Sequence, residues 1–285
     1  RVPSVARNTG ARAAAGTIIL FLDSDCILEQ DILEKIGSLS LRYPSVAAFN
    51  GIYVTPPATE SISSCFAALE MNYCFLNPPS TVFTALSAIR REVFIESGGF
   101  DESLTSPFAD DVLLGWKLEE LGYTTMFDFD LRALHLKQYS FFSYLANSFE
   151  HHAVITALCM TEVLSFFSRS EKRPDNHFSL PIVSDRRPIN LGIFTALIIW
   201  IGTWIINSFF GRPGRFLRFV PGLLMTALIL NNTRLFLYLV RKTGWQTALL
   251  SGPLMLADIA ASSAGFFTGL LRALSVDNGN ELSIK

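Results

Sequence analysis

Two acidic segments stand where this sequence could carry out chemistry, and the first of them is Asp23-Ser24-Asp25. Two carboxylates one residue apart can approach the same hard cation, and Mg²⁺ or Mn²⁺ prefers oxygen ligands. A turn or a helix cap explains the same residues about equally well, since Asp and Ser are favoured there for local reasons. The apolar run Thr17 to Leu22 directly before the segment favours a metal site.

The second acidic segment is Asp110-Asp111, which precedes a helical pattern with Trp116 and Lys117. Adjacent carboxylates repel each other, so one of them can keep a raised pKa and accept a proton from a hydroxyl group. A carboxylate at a helix N-terminus is also an ordinary cap, stabilised by the helix dipole. Taken by itself, this pair is better explained as a cap.

Three histidines are further candidates. His135 follows a predicted strand and could ligate a cation or contact a diphosphate, although a single histidine is more often structural. His151 and His152 fall in a helical stretch and point to different faces, so we interpret them as structural or interfacial.

The elements that must position these residues alternate between helix and strand. Residues 4–15 have a helical composition that ends at Gly16, and Thr17 to Leu22 predict a parallel strand buried on both faces. Residues 29–42 predict a helix and 46–51 the next strand. This alternation predicts an α/β sheet, with Asp23 and Asp25 at the carboxyl end of a strand, where open sheets bind ligands.

The pattern continues to residue 129. It predicts a Pro56-Pro57 loop, a helix around 60–76, a Pro78-Pro79 loop, a strand near 81–89, a turn at Gly98–Glu102, a helix to Leu121 and a strand from Tyr123 to Phe129. From Tyr139 to Phe167 the sequence is helical and aromatic. It fits a pair of interfacial amphipathic helices or an ordinary core helix equally well.

Composition divides the chain near Arg186-Arg187-Pro188. Half of the 285 residues are hydrophobic, and the mean hydropathy of +0.36 is high for a simple soluble enzyme. The net charge of −2, without basic residues interleaved with aromatic ones, excludes a nucleic-acid partner. The four cysteines are too widely spaced for a zinc knuckle and are predicted to be reduced, mostly buried cytosolic thiols. Since no initiator Met opens the chain, we expect an N-terminally truncated fragment.

Three apolar stretches are predicted to span a membrane: Leu191 to Phe210, Phe219 to Val240 and Gln246 to Leu271. Asn231, Asn232 and Arg234 interrupt the second stretch, and Asp258 lies in the third. A structural pair between Asp258 and Arg234 is favoured over a functional intramembrane carboxylate. Gly265 and Gly269 predict a close-packed helix interface.

Basic residues predict the orientation. Arg169, Lys172, Arg173, Arg186 and Arg187 precede the first span and Arg241-Lys242 follow the second, against Arg212, Arg215 and Arg218 between the two spans. Because Lys and Arg are retained on the cytoplasmic side, this predicts a multi-pass protein of the inner or plasma membrane with its first half in the cytoplasm.

The motifs in their order resemble the family-2 glycosyltransferases with the GT-A fold. The matching motifs are Ala6-Arg7-Asn8-x-Gly10, Phe21-Leu22-Asp23-Ser24-Asp25, Arg90-Arg91-Glu92-x-Phe94, Gly98-Gly99-Phe100-Asp101-Glu102, Asp110-Asp111, Gly122-Tyr123 and His135. The resemblance implies a partial GT-A (Rossmann-like) nucleotide-sugar transferase domain at 1–145. Interfacial helices and a linker would follow at 146–190, transmembrane helices at 191–272 and a tail at 273–285.

The resemblance also implies site residues and chemistry. Asp23 and Asp25 match the DxD motif, Asp111 the base that deprotonates the acceptor, Arg7 and Asn8 the nucleotide pocket, Asp110 a donor-site residue, and His135 the histidine near the metal. Asp25 and His135 are then the expected metal ligands, with Mg²⁺ or Mn²⁺ as cofactor. The implied reaction transfers a sugar, with inversion, from a nucleotide-sugar donor to a lipid-linked or envelope-polysaccharide acceptor.

The sequence departs from the family pattern at several points. Asp110 replaces the usual Glu, Leu113 an acidic residue, and Lys117 the usual Arg. The chain has no Gln-x-x-Arg-Trp motif, which disfavours a processive synthase. From the resemblance we also expect that the first strands of the family are missing from this fragment. Two other functions stay open. One is a haloacid-dehalogenase-like phosphatase, which also begins with Asp-x-Asp after an apolar strand, and the other is a non-catalytic membrane scaffold.

Overall fold

The computed structural model describes residues 3–54, 61–76, 82–104, 110–168, 187–210 and 219–276. Its strands are β1 (Ile18–Leu22), β2 (Cys26–Leu28), β3 (Val46–Val54), β4 (Leu86–Arg90) and β5 (Thr124–His135). Its helices are α1 (Pro3–Ala13), α2 (Ile32–Arg42), α3 (Ile62–Cys74), α4 (Arg91–Glu96), α5 (Asp110–Glu120), α6 (Phe141–Ser168), α7 (Arg187–Phe210), α8 (Val220–Thr243), α9 (Trp245–Leu250) and α10 (Gly252–Val276).

The five strands form one mixed sheet in the order β1-β4-β3-β5-β2. β3 and β5 are parallel, whereas β1 with β4, β4 with β3, and β2 with β5 are antiparallel. The prediction of a parallel first strand buried on both faces was therefore wrong: within the described residues β1 is an edge strand, and its burial alternates. A five-residue apolar run is compatible with either kind of strand, because its partner lies far away in sequence.

Helices cover both faces of the sheet. On one face, Ile19 and Phe21 of β1 pack with residues of α1, α4 and α5, including Leu114 and Leu118. On the other face, Ile32 and Ile36 of α2 pack with a second set of sheet residues. Alternate side chains of a strand point to opposite faces, so β1 contributes to both layers. The predicted α/β architecture is confirmed.

Helix α3 joins this sheet to the carboxyl-terminal helices. Phe66 and Leu69 are at most 1% exposed and share a core with Tyr144 of α6 and with Leu235 and Leu239 of α8. α3 is buried around most of its circumference, and its buried residues include Ser63, Ser64, Glu70 and Asn72 as well as apolar ones. The α/β part and the helical part are thus packed against each other through α3.

The aromatic stretch after residue 139 is one continuous helix, α6, rather than a pair of helices. It lies along α10, and the closest approach is at two glycines. A Cβ atom at Gly265 would collide with the carbonyl oxygen of Phe149, and one at Gly269 with that of Ala153. The predicted close-packed interface is therefore present, because glycine alone leaves room for the facing backbone.

The structure has helices at all three predicted membrane segments. Two are long and apolar enough to cross a bilayer, Val220–Thr243 and Trp245–Leu274, while the described side chains of α7 supply a shorter apolar stretch, Ile189–Ile201. Length and composition support membrane association of this part of the chain.

Polar residues within these helices have partners. The amide nitrogens of Asn231 and Asn232 donate to Asn190 Oδ1, both at 2.8 Å, and Asn190 donates to Asn232 Oδ1 at 3.0 Å. Asp258, which is 7% exposed, accepts hydrogen bonds from Ser148 at 2.6 Å and from Tyr144 at 3.1 Å. Its pairing with Arg234 stays a prediction.

Several predictions concern residues outside the described ranges. They are the Pro56-Pro57 and Pro78-Pro79 loops, the end of the tail from residue 277, and the basic residues Arg169, Lys172, Arg173, Arg186, Arg212, Arg215 and Arg218. The predicted orientation in the membrane depends mainly on these basic residues.

Candidate active site

Arg7 joins the two acidic segments. It lies on α1, and its guanidinium donates one hydrogen bond to Asp23 Oδ1 at 2.8 Å and another to Asp110 Oδ2. Burial alone would lower the pKa of Arg7, but the charges and hydrogen bonds of Asp110 and Asp23 outweigh it and raise this pKa. Arg7 therefore stays charged and holds residues 23 and 110 together.

Asp110 is buried at the first position of α5. Its side chain is 1% exposed and accepts hydrogen bonds from Arg7, from the Ser4 hydroxyl at 3.2 Å and from the Asp111 amide at 3.0 Å. These bonds satisfy one helix-terminal amide and fix the start of α5. Asp110 thus acts in the structure as a cap and as the anchor of Arg7.

Asp111 follows Asp110 in α5 and has a raised pKa. Burial, and after it the charge of Asp110, raise the pKa of Asp111 to about 7. The charge of Arg7 and the amides of Val112 and Thr84 oppose this rise. The Thr84 hydroxyl donates to Asp111 Oδ2 at 3.4 Å. A carboxylate with this pKa can take up a proton near neutral pH.

The segment between β1 and β2, which contains Asp23, lies next to Asp111. The Asp23 amide donates to the Ala85 carbonyl at 3.4 Å, and the preceding residue, Thr84, contacts Asp111. Together with the Arg7 bridge, these contacts bring the first acidic segment next to the second. Neither the cap interpretation nor the turn interpretation requires such a meeting.

Pairing between β2 and β5 places Asp25 and His135 together. Cys26 stands opposite His135 in the antiparallel register, and the Leu136 amide donates to the Asp25 carbonyl at 2.7 Å. His135 Nε2 lies 3.4 Å from Asp25 Oδ2. His135 is the last residue of β5 rather than a residue after the strand, since the predicted strand Tyr123 to Phe129 extends six residues further in β5.

His135 is held in place by its neighbours. Its ring stacks on Tyr53 with 4.4 Å between centroids and an interplanar angle of 6°. Burial, assisted by the charge of Lys137, lowers the pKa of His135, although Asp25 opposes this. The imidazole is thus neutral at neutral pH, which is the form that binds metals.

These residues fit a divalent cation. One ligand atom each of Asp25, Cys26 and His135 lies within 4.8 Å of the others, so a single ion could contact all three. The carboxylate and the imidazole are the predicted ligands. Sequence reasoning missed Cys26 as a ligand, because a cysteine beside an Asp-x-Asp motif has no recognisable spacing of its own. Its proximity to His135 follows from strand register.

Asn8 has a clear structural task. It is 5% exposed, and its amide group exchanges hydrogen bonds with the Phe100 backbone at 2.8 and 3.0 Å and donates to Glu102 at 2.9 Å. Gly98 and Gly99 adopt φ values of +74° and +72° there, a conformation that favours glycine. Asn8 therefore fastens the Gly98–Glu102 turn to α1, and its contact with a donor stays a prediction.

The comparison with protein families assigns the first part of the chain. Residues 1–97 match the glycosyl transferase family 2. This segment is similar in sequence to the family 2 glycosyltransferases. The matched residues contain Arg7, Asn8, Asp23 and Asp25, whereas Asp110, Asp111 and His135 lie beyond them. The mixed α/β sheet followed by apolar helices is the GT-A-like arrangement predicted from the motifs. The match covers the Asp-x-Asp segment, which favours a glycosyltransferase over the phosphatase alternative.

A comparison with curated proteins found no match to the chain. Among solved structures, the chain is similar to the mannosyltransferase PcManGT from Pyrobaculum calidifontis in complex with GDP-Man and Mn²⁺. The two share 16% identity at a TM-score of 0.47, over 95% of this chain and 66% of that structure. The chain therefore spans slightly less than two thirds of that protein's length.

Proposed function

We propose that this family 2 segment, with α5 and β5, forms the catalytic centre of an inverting glycosyltransferase. The observation that carries the proposal is the Arg7 bridge between Asp23 and Asp110, beside a carboxyl group, Asp111, whose pKa is raised to about 7. Excess negative charge in a cluster of carboxylates destabilises the folded protein. Such a cluster is therefore more typical of a site that binds a cation or carries out a reaction than of a purely structural one.

In this proposal Asp111 is the general base. The acceptor hydroxyl oxygen attacks the anomeric carbon of the donor, and its proton passes to the Asp111 carboxylate. The bond from the anomeric carbon to the diphosphate oxygen breaks, and its electron pair leaves with the nucleoside diphosphate. Single displacement of this kind inverts the anomeric centre. A base with a pKa near the working pH combines a large deprotonated fraction with sufficient basicity.

Asp25 and His135 would hold the divalent cation, with Asp23 alongside. The cation, Mg²⁺ or Mn²⁺, would supply positive charge that stabilises the diphosphate leaving group. The neutral state of His135, which its lowered pKa supports, leaves a lone pair for this role. Arg7 keeps Asp23 and Asp110 in position, and the donor is a nucleotide sugar.

The helical part suggests where the acceptor lies. Two helices have the length and composition of membrane spans, and α3 of the α/β part packs against α6 and α8. A site held in this way against the bilayer suits a lipid-linked acceptor or an envelope polysaccharide. We further propose that the protein is multi-pass, in the inner or plasma membrane, with the site on the cytoplasmic face, where nucleotide sugars are made.

The test is transfer by the 285-residue chain purified in detergent. A panel of labelled nucleotide sugars is incubated with Mn²⁺ or Mg²⁺ and a membrane lipid extract, and release of nucleoside diphosphate is measured together with label in the lipid fraction. We expect release that depends on the cation and is lost in Asp111→Asn.

Three outcomes decide against the proposal. Phosphate release from a phosphoester, without sugar transfer, supports a phosphatase. No turnover of any nucleotide sugar supports a scaffold. Full activity of Asp111→Asn removes the assigned base. An Asp101→Asn variant is the matched control, since Asp101 is an exposed carboxylate whose bonds are to Ser103.

A further inference from the structure

Three different ligand atoms meet at the end of the β2–β5 pair: a carboxylate oxygen of Asp25, the thiol sulfur of Cys26 and an imidazole nitrogen of His135. Residues directly opposite in an antiparallel pair have their side chains on the same face, and Cys26 stands opposite His135. The sulfur therefore faces the imidazole as a consequence of the strand register.

This set of atoms is unusual for a cation that only neutralises a diphosphate. Mg²⁺ takes oxygen ligands and Mn²⁺ resembles it, whereas sulfur and nitrogen ligands suit Zn²⁺. Mn²⁺ has the lowest affinity in the first-row series for a given site, and a thiolate ligand selects Zn²⁺. The Cys26 sulfur therefore raises the affinity for Zn²⁺ more than the affinity for Mg²⁺ or Mn²⁺.

We propose that Cys26, Asp25 and His135 form a thiolate-containing site that binds Zn²⁺ in preference to the cation that activates sugar transfer. The competition between the two cations rests on the proposed function. The binding itself rests on these three residues. When the ion binds, the metal–sulfur bond replaces the S–H bond of Cys26, and the proton is released to the buffer without any change of oxidation state.

The surroundings hold the Cys26 thiol, the His135 imidazole and the backbone of Asp25 in place before an ion arrives. Cys26 is 9% exposed and packs in the core with Ile32 and Phe49. His135 stacks on Tyr53, and the Asp25 carbonyl accepts the Leu136 amide at 2.7 Å. Ligands fixed by packing and by hydrogen bonds lose little conformational freedom on binding a metal.

Cobalt is the probe for the sulfur ligand. Co²⁺ replaces Zn²⁺ in such sites and gives a sulfur-to-metal charge-transfer band in the near ultraviolet when a thiolate is bound. The chain in detergent is titrated with Co²⁺ and then with Zn²⁺. We expect the band to appear in the unaltered chain and to disappear as Zn²⁺ displaces the cobalt. No band at saturating Co²⁺ would overturn the proposal.

Two serine variants assign the sulfur. Cys26→Ser is expected to lose the band and to bind Zn²⁺ at least about tenfold more weakly, because even the loss of an outer partner of a ligand costs about that much. Cys74→Ser, which removes a half-buried thiol outside the cluster, should keep both. A band that persists in Cys26→Ser contradicts the assignment.

If Cys26→Ser does not fold, X-ray absorption at the zinc edge of Cys74→Ser decides. A sulfur neighbour of the zinc supports the site, and oxygen and nitrogen neighbours alone overturn it.

The same measurements separate this inference from the proposed function. Mn²⁺-dependent transfer without a thiolate band refutes the zinc site and leaves the glycosyltransferase standing. A thiolate band without transfer of any sugar refutes the enzyme and leaves the site. If both hold, Zn²⁺ should inhibit Mn²⁺-dependent transfer, and Cys26→Ser should relieve that inhibition.

Discussion

Two aspartates of this chain, the buried Asp258 and the partly buried Asp111, have very different surroundings. Asp258, in the helical part, accepts hydrogen bonds from two neutral hydroxyl groups, those of Tyr144 and Ser148. Asp111, in the α/β part, accepts one hydroxyl bond, from Thr84, and lies beside a second carboxylate. Burial, and after it the charge of Asp110, raise the pKa of Asp111 to about 7. Hydroxyl donors stabilise a buried acid, whereas an adjacent like charge destabilises its ionised form.

The contrast separates polar groups that hold the fold from those suited to chemistry. The amides of Asn190, Asn231 and Asn232 belong with Asp258, since they satisfy one another between α7 and α8. Asp111 belongs with Asp110 and Asp23, which Arg7 joins. A carboxyl group whose pKa is shifted towards neutrality, next to other charged groups, is typical of a functional site.

The largest effect is expected from removing the proposed base. Asp111→Asn should lower kcat/KM for sugar transfer by about 10²–10⁴-fold, which is the usual contribution of a general base. Asp258→Asn should leave the kcat/KM of the folded protein unchanged, because its partners are on α6. Both variants are assayed side by side in detergent, with the folded fraction measured by gel filtration. Equal losses of kcat/KM in the two variants would contradict the assignment of Asp111 as the base.

A smaller effect, with a clear sign, concerns pH and Arg7. The base must be deprotonated, so kcat/KM should rise with pH through about 7, the pKa of Asp111. The charge of Arg7 opposes the rise of this pKa, so Arg7→Gln should move the midpoint upward by about one pH unit. A pH–rate profile of each form measures this. The Arg12→Gln variant is the control, since the Arg12 side chain is exposed and bonds to Glu102 and Thr9, and a midpoint that falls in Arg7→Gln would contradict the assignment.

In the helical part, changes should alter stability rather than chemistry. Gly269→Ala places a methyl group against the Ala153 carbonyl, and overpacking of this kind destabilises by about 1–3 kcal/mol. Gly222→Ala is the matched control, because nothing lies within 4 Å of its Cβ position. Thermal unfolding in detergent should show a lower midpoint for Gly269→Ala and no fall for Gly222→Ala. Equal midpoints would show that α6 and α10 do not pack as described.

The smallest effect is expected in the asparagine group. Asn190→Ala removes the acceptor shared by Asn231 and Asn232 and should destabilise by about 1 kcal/mol, as polar contacts between membrane helices usually do. Thr233→Ala, on the exposed side of α8, should change stability by less than about 0.5 kcal/mol. The same unfolding assay compares them, and transfer activity should be equal in both.

The sequence by itself determined the local elements and the candidate residues. Apolar periodicity located most helices and strands but missed the short elements β2, α4 and α9. The order of the motifs indicated the family that residues 1–97 match. The spacing of small residues also indicated a close helix contact at Gly265 and Gly269. Helices, strands and motifs depend on neighbours within a few positions, which a pattern of residue types records directly. The two glycines mark a helix face that another backbone can approach closely, whichever helix supplies it.

Only the tertiary structure decided what depends on distant partners. The fold places β1 at the edge of the sheet, antiparallel to β4, and the register of β2 on β5 puts Cys26 opposite His135. Arg7 bridges two carboxylates that are 16 and 103 positions away from it. Such pairings arise from packing between remote segments, and local residue patterns carry no record of which segments will meet.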